Sequence, residues 1–217
     1  MSSKRNESIH YEHLEPRLRT GDLFLFSGAS HRSRLIEAAT HSEFSHIAMV
    51  VRPDPAAAPL LWHTDPRPVT EDVEAKHEHG GTQLNELSAA MATMTSPEYG
   101  DTPYVRQLIV ERTREFENAV LQAISAIDET PFPSLLKIVK EWVLGQLHLS
   151  TSGKRMYCAE VIATTYQRMG LLPAEPPANA YMPVTFSAKH ASLPLLRGAS
   201  LGPEIQVLWS QPGSEVR

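Results

Sequence analysis

Apolar residues in this chain come first as short runs between turn-forming clusters and later at helical spacing. Thr20-Gly21-Asp22 turns the chain into Leu23-Phe24-Leu25-Phe26, which predicts a buried strand. Ser27 to Ser30 reads as a loop, and Leu35, Ile36, Ala38 and Ala39 predict a short helix over Ser33 to Thr40. His46-Ile47-Ala48-Met49-Val50-Val51 is a β-rich run that ends at Pro53. A proline and alanine loop, Pro53 to Pro59, joins it to Leu60-Leu61-Trp62-His63-Thr64, and two strands linked this way predict an antiparallel pair. The segment Asp65 to Gly81 is charged. Beyond it, Thr82 to Met94 combines a short strand (Thr82 to Leu84) with a helix, and Tyr104 to Val110 alternates as a further strand.

The period then changes. Phe116, Val120, Leu121, Ile124 and Ile127 mark an amphipathic helix over Glu115 to Ile127, which Pro131 and Pro133 end. A second helix is predicted over Ser134 to Leu147. A third begins at Cys158, carries Val161, Ile162, Thr165, Tyr166 and Met169 on one face, and stops at Gly170. Prolines 173, 176 and 177 bend the chain, followed by a helical turn near Pro183 to Lys189 and strands near Leu193 to Leu196 and Ile205 to Trp209. Strands first, helices next and a final strand pair predict an α+β protein with an antiparallel sheet. Residues 1–19 read as a loose polar arm and residues 210–217 as a polar tail, flanking one domain over 20–209.

Composition narrows the function classes. With 217 residues, 41% of them hydrophobic and 21% charged, the chain can bury a real core as a single domain. A net charge of −5 provides no basic footprint, so nucleic acid is not an expected partner. The single cysteine cannot close an internal disulfide, and no apolar run follows the polar start, so a cytoplasmic location is expected. No transmembrane segment is expected, because Lys137, Lys140, Glu141 and His148 interrupt the longest apolar-leaning stretch, Leu135 to Leu149; peripheral membrane contact stays open. Within that stretch Leu135, Leu136, Ile138, Val139, Trp142 and Val143 either pack into the core, the reading preferred here, or line an apolar groove.

The chemistry centres on Cys158. A thiol at the first turn of a helix meets unpaired backbone N–H groups and the positive end of the helix dipole, with Lys154 and Arg155 just upstream, and each favours a thiolate. Taken alone, the same cysteine reads more readily as a small buried residue packing one helix. Cysteine catalysis needs a base within reach of the sulfur and a third group to hold that base. His46 opens a strand directly after a loop and is the candidate base. His63, on the next strand, can sit beside it as the orienting group, and Asp65 ranks second for that role. His77-Glu78-His79 has the look of a metal tract, yet no further ligands stand at recognisable spacing, so it reads as a solvated face and no metal or cofactor is expected. His41 and His46 make no zinc pattern, and no nucleophile elbow, phosphate loop or dinucleotide fingerprint occurs.

Two strings then become recognisable together. TGDLFLFSGASHRSRLIEAATHSEFSHIAMVV, followed by LLWHT and GTQLNEL, and later YCAEVIATTYQRMG, resembles the YiiX-like branch of the circularly permuted NlpC-type papain-like hydrolases, whose fold is shared with lecithin retinol acyltransferase and its relatives. The likeness covers roughly Thr20 to Leu87 and Arg155 to Leu172. It implies a permuted papain-like fold with Cys158 as nucleophile at a helix start, His46 as general base and acid, and His63 as the orienting residue, with Tyr157, Ser45 and Glu160 beside them as substrate-binding positions. This sequence has histidine where the YiiX-like branch often has glutamate, Ala159 where serine is common, and Met182 before Pro183 where serine is usual. The implied activity is hydrolysis of an amide in a small peptide or N-acyl compound. The alternatives are a lipid acyltransferase or thioesterase with the same triad, and a binding module without turnover.

Overall fold

A computed structural model describes residues 7–28, 43–151, 153–189 and 193–210. The helix predicted over Ser33 to Thr40, with His41, falls outside the described residues, as do residues 211–217 of the predicted tail. The protein is a mixed α+β structure built on a seven-stranded sheet. Its strands are β1 (Ser8–His10), β2 (Leu23–Gly28), β3 (His46–Val51), β4 (Leu60–Asp65), β5 (Gly81–Glu86), β6 (Asp101–Arg106) and β9 (Ile205–Leu208), in the spatial order β1-β9-β6-β2-β3-β4-β5. All neighbours are antiparallel except β1 and β9, which run parallel. Strands β7 (Leu108–Ile109) and β8 (Ser200–Leu201) form a separate two-stranded ribbon. The helices are α1 (Tyr11–Leu14), α2 (Leu87–Met94), α3 (Arg114–Ile127), α4 (Leu135–Gln146) and α5 (Cys158–Arg168).

Alternation along the central strands sorts their side chains onto two faces. Leu23, Leu25, Ile47, Met49, Trp62 and Leu84 lie on one, packed against Phe116, Val120 and Ile124 of α3 and Val161, Ile162 and Tyr166 of α5. Phe24, Phe26, Ala48, Val50 and Leu61 lie on the other, under Leu87, Met91 and Met94 of α2 and Tyr11, Leu14 and Leu18. Such two-sided burial is why these strands read as continuous apolar runs. Trp62 also donates its indole N–H to Thr165 Oγ1 at 3.1 Å, which fixes α5 across the sheet. Thr113 caps α3 by accepting the Phe116 N–H at 3.2 Å.

Three sequence expectations change. Residues 8–18 are not a loose arm: β1 joins the sheet edge, Leu14 and Leu18 are buried, and Tyr11 packs edge-on against Trp209 at 4.7 Å. The strand expected over Tyr104 to Val110 is two strands parted at Gln107, because Arg106 turns to the carbonyls of Phe186, Leu201 and Gly202 while Leu108 donates its N–H to Asp22. Leu193 to Leu196 forms no strand; β8 lies further on, at Ser200–Leu201. Helix α4 departs from the core-packing reading in part, since Ile138 is buried while Leu136, Val139, Val143 and Leu147 face outward, Leu136 at 87% exposure.

Candidate active site

The site begins where the sheet comes apart. Strands β3 and β4 pair only at Met49↔Trp62, Val50↔Leu61 and Val51↔Leu60, and the register is not continued toward His46 and Asp65. Antiparallel geometry alternates N–H directions along a strand, so the Ile47 N–H points toward β4 with no ladder partner left to take it. It is directed instead at the Cys158 sulfur, which also receives the N–H groups of Ala159 and of Cys158 itself. The first turn of α5 thus seats its thiol in the fork between the strands, one residue along from His46. Burial pushes this thiol up to about 11, with the Ile47 and Ala159 N–H groups pulling the other way and the Asp65 charge adding to the rise. At neutral pH the resting group is therefore a thiol.

His46 and His63 alternate onto the same face, and their rings meet edge to face with centroids 5.3 Å apart. Phe26 closes the other side of His46 at 5.6 Å. His63 is fully buried, and Nε2 lies 2.8 Å from Asn85 Oδ1. The Asn85 amide nitrogen donates to the carbonyls of Thr70 and Glu71, at 3.1 and 3.2 Å, so the oxygen must face the imidazole. The bond is consequently Nε2–H donating to Asn85, which leaves a lone pair on Nδ1, an enclosed atom without another hydrogen-bond partner. Burial pushes the His63 titration down, against the pull of Asn85, Asp65 and Asp72, and holds the ring neutral.

The other named positions serve different ends. Asp65 ends β4 and accepts the Arg67 N–H at 3.0 Å, acting on His63 and Cys158 through its charge. Ser45 is buried, and its N–H and hydroxyl both reach the Phe26 carbonyl, fixing the entry to β3. Tyr157, also buried, directs its hydroxyl at the carbonyls of Asn179 and Tyr181, at 2.6 and 3.1 Å. Glu160 lies inside the protein, where Oε1 accepts from Thr151 at 3.1 Å; burial and the nearby Glu141 push its carboxyl up to about 7. Asn85, by contrast, was not singled out from the sequence. Only its place in GTQLNEL stood near the relevant strand, and an amide carries no signal until β4 and β5 pair. Asp72, His79 and Asp128 form a second cluster, built from other residues.

No family model matches this sequence, and no curated protein matches it. Among solved structures the chain is similar to the metalloprotein yiiX from Escherichia coli O157:H7, described as DUF1105, with 22% identity and a TM-score of 0.48. The match covers 70% of this chain and 66% of that one, so it spans just under two thirds of the neighbour's length.

Proposed function

We propose that this chain is a cysteine-dependent acyl-transfer enzyme of the permuted papain-like, NlpC-type kind, hydrolysing an amide bond in a small peptide or N-acyl compound. The observation that carries this reading is the Cys158 sulfur receiving the Ile47 N–H, one residue along β3 from His46, whose ring meets that of the buried His63 edge to face. Asn85 fixes the His63 tautomer, so His63 Nδ1 can accept an N–H from His46 and turn the second His46 nitrogen to the thiol. His46 then takes the Sγ proton as sulfur attacks the carbonyl carbon, forming the S–C bond, and the Cys158 N–H at the helix start steadies the oxyanion. The C–N bond breaks, the leaving amine takes the proton from His46, and water attacks the thioester to release the acid and restore the thiol.

Iodoacetamide labelling of Cys158 as a function of pH tests the pair. The wild-type protein is expected to label through a limb below the ordinary thiol value of about 8.5, because His46 takes the proton as the sulfur attacks. In His46→Ala that assistance is gone, and the labelling should rise only as pH passes the ordinary thiol value. Superimposable curves for the two proteins would sink the proposal. A second reading, transfer or hydrolysis of a lipid acyl group, is favoured by the outward apolar row of Leu136, Val139, Val143 and Leu147 on and just past α4. Turnover of acyl-lipids in preference to N-acyl amino acids, lost in Cys158→Ala, would select it.

A further inference from the structure

The charged segment after β4 folds back on itself and brings three potential ligands together from distant parts of the chain. Asp72 is fully buried and rigidly held: Oδ1 accepts the N–H groups of Glu74 and Ala75 at 2.7 and 2.8 Å, and Oδ2 accepts that of Leu84 at 2.6 Å. His79 follows from the same segment, its side chain 12% exposed, with Nε2 3.4 Å from Asp72 Oδ2. Asp128 arrives from the end of α3, where Thr82 of β5 clamps the chain: Thr82 takes the Glu129 N–H at 3.1 Å, and its hydroxyl bridges Ile127 O and the Thr130 N–H at 2.5 and 2.7 Å. One donor atom from each of Asp72, His79 and Asp128 lies within 4.8 Å of the other two.

Two further observations separate this group from an ordinary ion pair. The His79 ring places Nδ1 3.2 Å from the Gly80 carbonyl. Donation there puts the proton on Nδ1 and leaves a lone pair on Nε2, the arrangement metal-bound histidines adopt. His79 Nε2 and Asp128 Oδ1 are both enclosed atoms without a hydrogen-bond partner. Moreover, 3.4 Å is long for an N–H···O bond and matches the ligand-to-ligand edge of about 3.3 Å expected when nitrogen and oxygen sit about 2.0–2.1 Å from a tetrahedral zinc. The three donor atoms lie within 4.8 Å of one another, so closing on such an ion takes a movement of up to about 1.5 Å.

We propose that Asp72, His79 and Asp128 bind a divalent transition-metal ion of the zinc class, with water in the fourth position. Mixed imidazole and carboxylate ligands suit such an ion, and two carboxylates neutralise its charge. The ion ties the segment between β4 and β5 to the end of α3. That segment also carries the Thr70 and Glu71 carbonyls that hold Asn85, so the metal stiffens the support of His63 from outside the thiol site. The proposal stands independently of the catalytic reading, because none of its ligands is a residue of that site.

Calorimetric titration of the metal-stripped full chain with zinc chloride, alongside Cys158→Ala, His79→Ala and Asp128→Asn, tests it. The wild type and Cys158→Ala are expected to bind one zinc ion per chain alike. His79→Ala and Asp128→Asn should each weaken binding by more than about 100-fold, beyond the loss that follows removal of an outer-shell partner. Zinc should raise the melting temperature of the wild type and not of His79→Ala, which also shows that the variant folds. The cobalt-loaded protein should lack a thiolate-to-metal charge-transfer band. Binding lost only in Cys158→Ala, or unchanged in both ligand variants, would overturn the site. Absence of any binding by the wild type would overturn it equally.

Discussion

Glu160 stands two residues after Cys158 in YCAEVIATTYQRMG, and the fold gives it a cost that grows with pH. Burial and the nearby Glu141 push its carboxyl up to about 7 in the folded protein, above the ordinary value of 4.5, so the folded state holds its proton more tightly than the unfolded chain does. The penalty is absent at low pH, sets in as pH rises through 4.5, and is complete above about 7, where it amounts to ~3 kcal/mol. Glu160→Gln keeps the shape and removes the charge. Urea unfolding should therefore find the variant more stable than wild type at pH 8 by up to about 3 kcal/mol, and little changed at pH 4. The three residues proposed for catalysis were legible because each stands in a local string with a distinct neighbour pattern. Asn85 and Asp128 were not, since the meaning of an amide or carboxylate there depends on what β5 brings alongside. Spacing within His77-Glu78-His79 carries no metal signature, because the partners of His79 stand at 72 and 128, the latter on another element.

The Gly21-Asp22 turn shows what one short element can organise. Gly21 has φ +91, where a larger residue is strained, and an added Cβ would fall 2.6 Å from Leu108 Cδ2 and displace that methyl. Its carbonyl accepts the Tyr166 hydroxyl at 2.6 Å, linking the turn to α5. Asp22 is buried, accepts the N–H groups of Leu108 and Arg19 at 2.8 and 3.0 Å, and pairs with Arg112 at 3.3 Å. Asp22→Ala leaves that guanidinium and both amides without their acceptor, and a loss of about 3–5 kcal/mol is expected. Denaturant titration would register it as a lower midpoint with an unchanged slope. The turn itself was readable from Thr20-Gly21-Asp22, as were β2, β3 and β4 from their apolar runs and α3 to α5 from their period. The break at Gln107 was not, because it arises from Arg106 and Asp22 acting across the fold rather than from any local breaker.

At the scale of the whole molecule the two edges of the sheet differ. One ends in β5, covered by the segment that carries Asp72 and His79; the other ends in β1, a three-residue strand that pairs with β9 through Ser8↔Gln206, Ile9↔Val207 and His10↔Leu208. Removing residues 1–18 takes away β1 together with Tyr11, Leu14 and Leu18, all buried, and bares the β9 edge. Each lost apolar side chain contributes about 1.5–3 kcal/mol, and an uncovered edge invites pairing with another chain. The truncated protein should melt lower and elute at a concentration-dependent size on gel filtration, while full-length protein does not. Polar composition concealed this strand, since a span of three residues is too short to display alternation.

That parallel pairing also dictates an order of assembly. Ser8–His10 leaves the ribosome long before Ile205–Leu208, its strand neighbour among the described residues, is synthesised. Until then β6 has β2 on one flank and lacks β9 on the other, so the nascent polypeptide carries an unsealed seam that closes only when these two distant segments meet.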